Sequence, residues 1–210
     1  MGTQKIKCVI VSGAPTNDDS YLNKVIDKSS YIIAADSGYK RCIDANISPN
    51  LIIGDFDSSN YPNEKCEIVK LPVEKDDTDT FYCVKEAVKR GYKEIEIYNA
   101  IGSRLDHTYA NLLCLHYCLC NNVNAFIKNQ NNKIFFVNDK IILDDSEYKY
   151  FSVFSFSEKS EGVTIKDSYY EVDNITLNNF EQYGESNHFN GKEVTISVEK
   201  GTLIVILSND

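Results

Sequence analysis

Leu51-Ile52-Ile53-Gly54-Asp55-Phe56-Asp57-Ser58 is an apolar run that ends in a glycine and two carboxylates separated by one aromatic residue. A strand-type run that stops at Gly54 delivers Asp55 and Asp57 to the C-terminal edge of a buried parallel sheet. That edge is where open α/β sheets place their ligands. In extended backbone, residues two apart point the same way, so Asp55 and Asp57 are placed to share one divalent cation while Phe56 turns toward the protein. A plain acidic turn is the alternative, because Gly-Asp is also ordinary turn chemistry.

The same signature recurs on either side. Upstream, Lys5 to Gly13 reads as a central apolar strand, Tyr21 to Lys28 as a short helix, and Tyr31 to Ala35 as a second strand running into Asp36-Ser37-Gly38. A helix around Tyr39 to Ala45 leads through Pro49 back to the opening motif. Downstream, a turn at Pro62 and a strand at Glu67 to Leu71 precede Lys75-Asp76-Asp77-Thr78-Asp79. That cluster opens a helix with Phe81, Val84 and Val88 at helical spacing and Gly91 as its stop signal. Capping and the helix dipole account for one or two of its acids, but not for all of them with a lysine. A strand at Glu94 to Asn99 then ends in Ala100-Ile101-Gly102-Ser103-Arg104-Leu105-Asp106-His107 before a long helix to about Asn121. Gly102 permits close backbone approach, Arg104 offers a planar fork for phosphate, and Asp106 and His107 fall at the helix start. Asp106 as a simple N-cap, with Arg104 and His107 solvated, is the alternative.

From about Val123 strand follows strand without helices: Asn124 to Lys128, Lys133 to Val137, Lys140 to Leu143, Tyr150 to Phe156, Gly162 to Lys166, Tyr170 to Leu177, Glu193 to Glu199 and Thr202 to Leu207. The fold expected is therefore an α/β domain, mostly parallel sheet flanked by helices, over residues 1–125, followed by an all-β sandwich over 126–210. The one long gap, about Asn178 to Asn190, mixes Tyr183, Gly184, Ser186, Asn187, His188 and Phe189, which suits a binding loop or a solvated one.

Composition narrows the class. The 210 residues, 42% hydrophobic and 25% charged, suffice for one large or two modest cores. A net charge of -9 gives no basic field for nucleic acid, so no nucleic-acid partner is expected. Seven cysteines, an odd number, do not form a disulfide framework; Cys114 and Cys118, one helical turn apart among leucines, suit small buried groups. No signal segment opens the chain and no apolar run reaches the ~18 residues of a membrane span, so a cytoplasmic protein without a membrane partner is expected. Neither GxxxxGK[ST] nor GxGxxG occurs.

In a parallel sheet the four strand ends converge on one edge. Carboxylates in such number repel one another unless cations sit between them. Mg²⁺, held by a few carboxylates, waters and substrate phosphates, fits an acid-rich crevice with one Arg and one Lys. The reaction class is phosphoryl or pyrophosphoryl transfer, in which the protein positions groups and neutralises developing charge.

The ordered set Ala35-Asp36-Ser37-Gly38, Pro49 to Ser58, Lys75-Asp76-Asp77-Thr78-Asp79 and Gly102 to His107 closely resembles the thiamine pyrophosphokinases. The resemblance spans the chain. It implies transfer of pyrophosphate from ATP, with Mg²⁺, to the hydroxyl of thiamine, giving thiamine diphosphate and AMP. It also implies a homodimer with active sites at the subunit interface. By motif, Asp55, Asp57, Asp76 and Asp79 form the metal set, Asp57 and Asp79 foremost. The resemblance further implies that Asp36, Ser37, Asp55, Lys75, Asp76, Ser103, Arg104 and His107 bind ATP and its phosphates, that Asp57, Asp79, Arg104 and Asp106 are catalytic, and that Ser186 and Asn187 bind thiamine. The chain departs from frequent family patterns with Ser103 for a second glycine, His188 for an acid and no Trp, for which Phe189 or Tyr183 is the aromatic substitute. The sequence names no general base; Asp106 and another carboxylate both qualify. Two other functions share these residues. A non-catalytic nucleotide or thiamine sensor would keep the fold and metal site, and an aspartate-nucleophile phosphatase would use Asp55-Phe56-Asp57, although its DxD normally follows the first strand.

Overall fold

The computed structural model describes residues 7–15, 20–57, 61–144 and 147–210. Lys5 and Ile6 of the expected first strand, and Ser58 of the opening motif, lie outside them. The chain divides into two compact units, Met1–Gln130 and Asn131–Asp210.

The first unit runs β1 (Lys7–Val11), α1 (Ser20–Val25), β2 (Tyr31–Ala35), α2 (Gly38–Asp44), β3 (Leu51–Gly54), β4 (Glu67–Lys70), α3 (Asp79–Lys89), β5 (Glu94–Tyr98), α4 (Leu105–Cys120) and β6 (Asn124–Lys128). Its strands lie in the order β6-β5-β1-β2-β3-β4, each neighbouring pair parallel. Asn124–Lys128, expected to open the second domain, instead pairs in parallel with β5, so the division falls after Gln130 rather than after residue 125. Cys8 to Val11 and Ile32 to Ala35 are almost wholly buried because both faces of these strands are covered. Val9, Val11, Ile32, Ala34 and Ile52 face a core shared with Leu22 and Ile26 and with Tyr39 and Cys42 of α2. Side-chain alternation sends Cys8, Ile10 and Ile33 to the opposite face. α3 packs on β1, β2 and β3.

Two helices start where the sequence places them, and their caps are now defined. The N-cap of α3 is Thr78, whose hydroxyl accepts from the Phe81 N–H at 3.2 Å, so the neighbouring acids are not needed as caps. Its buried stripe is Thr80, Cys83, Val84 and Ala87, one step round the helix from the expected Phe81, Val84 and Val88. The N-cap position of α4 is Arg104, not Asp106. Gly91 ends α3 with a φ of 87°, as its stop signal required. All seven cysteines are free, and Cys114 and Cys118 are buried along α4.

Gly54 is where the opening motif is fixed. A Cβ there would lie 2.8 Å from the Asp36 Cα and 3.0 Å from its Cβ, because β2 and β3 end side by side with the Asp36 N–H donating to the Ile53 carbonyl at 2.7 Å. Gly54→Ala must push backbone apart, and a loss of about 1–3 kcal/mol is expected in a denaturant melt.

The second unit contains β7 (Asn132–Val137), β8 (Lys140–Leu143), β9 (Tyr150–Ser155), β10 (Lys159–Lys166), β11 (Val172–Asn178), β12 (Asn187–His188), β13 (Val194–Ser197) and β14 (Leu203–Ser208). Within this unit the strands lie in the orders β12-β9-β14-β7 and β11-β10-β13-β8, antiparallel throughout, as the two sheets of a β-sandwich. β9 and β14 alternate buried and half-buried residues, the one-face burial of sandwich strands. The fold is thus α/β followed by β-sandwich, with the two-residue β12 inside the long gap.

Candidate active site

Strand order sets the site. From β1 the chain proceeds outward through β2, β3 and β4, then returns to place β5 on the other side of β1. Such a reversal opens a crevice beyond the carboxyl ends of the flanking strands. A cavity of about 550 Å³ lies there. Ser12 to Ala14 line it after β1, Asp36 and Ser37 after β2, and Ala100 and Gly102 to Arg104 after β5. Lys75 and Asp77 to Thr80 at the head of α3, with His107, Thr108 and Asn111 of α4, also line it.

Seven expected residues therefore meet in one cleft: Asp36, Ser37, Lys75, Asp79, Ser103, Arg104 and His107. Lys75 is its electrostatic centre. The ammonium is hydrogen-bonded to Asp55 Oδ2 and lies 3.3 Å from Asp79 Oδ1, with side-chain exposures of 8% for Lys75, 11% for Asp55 and 22% for Asp79. The Lys75 hydrogen bond holds the Asp55 carboxyl below its ordinary range. Burial works against the Lys75 charge, but its two acid neighbours outweigh that and raise its pKa. Asp79 moves the other way: burial pushes its carboxyl up, and the charges of Asp55 and Asp36 add to this against the pull of Lys75.

Asp57 and Asp76 are exposed and do not line the cleft. The extended Asp-Phe-Asp geometry is not formed. Phe56 is buried in the core edge-on to Tyr61, and it reaches that place with a φ of 59°, a region bulky residues seldom adopt. The chain turns there, and the Asp57 N–H donates back to Asp55 Oδ1 at 3.1 Å. Asp55, Asp57, Asp76 and Asp79 are accordingly not one cluster: among the described residues no three or more Asp, Glu, His or Cys are grouped to hold a metal ion.

The cleft nonetheless fits a hard cation. Asp36 Oδ1 is buried and accepts no hydrogen bond, and the buried Asp79 Oδ1 faces the Lys75 ammonium at 3.3 Å. Unpartnered carboxylate oxygens are the ligands such a cation takes, and Mg²⁺ commonly uses one or two protein carboxylates with substrate phosphates completing its shell. Asp36 itself holds a φ of 43° at the strand end, backbone strain of the sort concentrated at functional sites.

Arg104 and Asp106 form an exposed two-point pair, Nη2 to Oδ2 at 2.5 Å and Nε to Oδ1 at 3.2 Å, which lowers the Asp106 pKa and makes it a weak base. The loop bearing Arg104 is tied down by α4. Thr108 Oγ1 accepts from the Gly102 N–H at 3.2 Å, and Asn111 Nδ2 donates to the Ala100 carbonyl at 2.8 Å. Sequence reasoning missed Thr108 and Asn111, which repeat at i and i+3 after the Gly102 motif. It also missed the buried Ser12–Thr80 hydroxyl pair at 2.8 Å on the cleft floor. Asp77 lines the cleft but is paired with Lys85 at 2.5 Å.

The second unit has its own cavity, about 420 Å³, lined by Tyr169, Tyr170, Tyr183, Glu171 and Glu185 over the apolar floor of Ile165, Val172, Ile175 and Leu177. Asn187 borders it, while Ser186, exposed with a φ of 54°, does not. Of the two aromatic substitutes, Tyr183 lines this cavity and Phe189 instead packs on Phe151 at 5.2 Å.

Comparison with known proteins is consistent along the whole chain. Residues 22–127 match the family model of the thiamin pyrophosphokinase catalytic domain, and residues 139–203 that of the thiamin pyrophosphokinase vitamin B1 binding domain. The thiamine pyrophosphokinase of Bacillus subtilis is 29% identical over 210 residues, covering 96% of this chain and 98% of that one. A crystal structure of the Bacillus subtilis enzyme superposes with a TM-score of 0.88 at 26% identity, covering 97% and 99% of the two chains. Yeast thiamin pyrophosphokinase shares the fold, with a TM-score of 0.77 at 14% identity over 99% and 88%. The Lys75-centred acids of the cleft fall inside the span matched to the catalytic domain, the tyrosine-walled cavity inside that matched to the vitamin B1 binding domain, and the chain belongs to the thiamine pyrophosphokinase family.

Proposed function

We propose that the switch-point cleft binds ATP together with Mg²⁺, and that from it the pyrophosphoryl group passes to the hydroxyl of thiamine. The observation that carries this is the buried, unpartnered carboxylate oxygen of Asp36 in the same cleft as the buried Asp79 Oδ1, which faces the Lys75 ammonium at 3.3 Å. Asp79 and Asp36 would hold the metal, with Asp55 behind Lys75 and the exposed Asp57 and Asp76 as the outer acids of the set. When bound, Mg²⁺ offsets phosphate charge and polarises the transferring group.

The chain's own residues supply the rest. Lys75 adds a fixed positive charge against the phosphates, and Arg104 a planar fork that Asp106 holds in orientation. Ser37, Ser103 and His107 stand among the phosphate contacts, His107 in the first turn of α4, whose N–H groups favour an anion. The thiamine hydroxyl oxygen bonds to the β-phosphorus as the bond from that phosphorus to the α,β-bridging oxygen breaks. AMP leaves with the bridging oxygen, and the hydroxyl proton passes to a carboxylate of the cleft. The tyrosine cavity of the second unit is the acceptor site: aromatic faces with Glu171 and Glu185 beside them suit a cationic heteroaromatic ring.

Two further assignments belong to this reading. The chain is a homodimer with active sites at the subunit interface; Leu105, Tyr109 and Leu113, exposed at i, i+4 and i+8 on α4, support a second copy covering that face. Light scattering after gel filtration is expected to give twice the chain mass. A cytoplasmic location without a nucleic-acid or membrane partner belongs to the same reading, supported by free thiols and a net charge of -9; among the described residues no helix is long and apolar enough to cross a membrane.

Incubation with ATP, Mg²⁺ and thiamine is expected to yield AMP and thiamine diphosphate in equal amounts. ADP with thiamine monophosphate would remove the pyrophosphoryl assignment.

A further inference from the structure

Asn187 has a task that its place beside the acceptor cavity conceals. It is 5% exposed, and every hydrogen-bonding position of its side chain is used within the protein. Oδ1 accepts from the Tyr170 N–H at 3.0 Å and from the His188 N–H at 2.8 Å. Nδ2 donates to the Tyr170 carbonyl at 2.7 Å and to Ser168 Oγ at 3.3 Å. A primary amide has two donors and two acceptor lone pairs, so none is left for a ligand. The partners also fix which way the amide faces, since backbone N–H groups meet only the oxygen and a carbonyl only the nitrogen. Ser168 Oγ closes the ring by donating to the Tyr170 carbonyl at 2.8 Å, and the Tyr169 N–H donates to the His188 carbonyl at 3.0 Å.

This network grips one turn, residues 168–170, and that turn carries two walls of the cavity. Tyr169 and Tyr170 are exposed and edge-on to each other at 4.8 Å, and neither ring is buried deeply enough to set its own direction. Ordering exposed side chains at the moment of binding costs affinity, and a turn already locked reduces that cost.

We propose that Asn187 is a positioning residue of the acceptor site, holding the 168–170 turn so that Tyr169 and Tyr170, with Tyr183, present a pre-set aromatic wall to a heteroaromatic cation that Asn187 itself does not touch. The acceptor half rests on the reading of this cavity as the thiamine site.

The test is Asn187→Asp, which keeps the shape but sets an oxygen against the Tyr170 carbonyl. The chain contains no Trp, so its near-UV circular dichroism is dominated by tyrosine. The variant is expected to lose part of that signal with its far-UV spectrum unchanged. Its KM for thiamine is expected to rise about ten-fold or more with KM for ATP unaltered. That factor is expected to be the same for thiamine analogues lacking the pyrimidine amino group or either ring nitrogen. A factor that collapses toward one with any analogue reveals direct contact and overturns the proposal, as does an unchanged near-UV spectrum. Should Asn187→Asp fail to fold, Ser168→Ala, which removes a single member of the ring, is expected to shift both readouts the same way by less. The cavity assignment is read separately from Tyr183→Ala: an unchanged KM for thiamine there removes the acceptor role, whereas a failed near-UV result removes the positioning role alone.

Discussion

Asp79→Asn is expected to lower kcat by roughly 10²- to 10³-fold, the scale of losing one fixed charge-stabilising group at a reacting centre, while the protein stays folded. Three opposing terms keep its stability near that of the wild type. Burial makes the Asp79 charge costly, so a neutral amide removes that cost. Against this, the amide forgoes attraction to the Lys75 ammonium at 3.3 Å and, at the first residue of α3, the helix dipole's preference for an anion, about 0.3–1 kcal/mol. Thr78 still caps the helix in the variant, so its start is not at risk. Asp57→Asn is the control within the same acid set. Asp57 is exposed and does not line the cleft, so the smaller loss is expected there. Initial rates of AMP formation beside thermal melts decide the matter, and a wild-type rate in Asp79→Asn would end the assignment of that carboxylate to the metal and phosphate site.

The contrast between these two acids marks how far the sequence could be read. Apolar strand runs ending at Asp36, at Gly54, ahead of the Asp76 to Asp79 cluster and ahead of the Gly102 motif are enough to place four strand ends on one edge, because strands buried on both faces read as continuous apolar runs. Strand after strand from about Val123 is equally plain, because strand signals follow one another there without helices. What stayed hidden depended on contacts between distant residues. Local preference argues against a left-handed Phe56; only its burial against the helices overrides that, and the turn it forces separates Asp55 from Asp57. Asn124–Lys128 reads as a strand in either unit, and only the pairing with Glu94–Tyr98 assigns it to the first. The tyrosine cavity draws on Tyr169 and Tyr170 before β11 and on Tyr183 after it, and no periodicity links them. Thr78, by contrast, is legible as an N-cap, a threonine immediately before a helix, with acids on either side that are weaker cap candidates only once the helix start is fixed at Asp79.

Lys75→Met should abolish most activity and also reveal what the lysine does for the fold. Removing the ammonium leaves Asp55 and Asp79 partly buried without their cation. A loss of about 2–3 kcal/mol at pH 7 is expected, less than the roughly 3–5 kcal/mol of a pair sealed in a core, because the cleft is open to water. The pH dependence separates this from a simple packing defect. In the wild type the Asp55 pKa lies below its unfolded value, so its contribution is present above the ordinary carboxylate range and is lost as pH falls through the folded value. Asp79 lies above its unfolded value, so its contribution is present at low pH and is lost as pH rises through the folded value. Without Lys75 the lowering influence on both acids disappears, and both then favour the protonated, low-pH side. The stability gap between Lys75→Met and wild type is therefore expected to narrow as pH falls from 7 toward about 4, where the unfolded carboxylates themselves begin to titrate. Equilibrium denaturation at a series of pH values measures it. A gap that stays constant across that range would mean that the methionine disturbs packing alone, and that Lys75 is not the counter-charge around which the acids of the cleft are arranged.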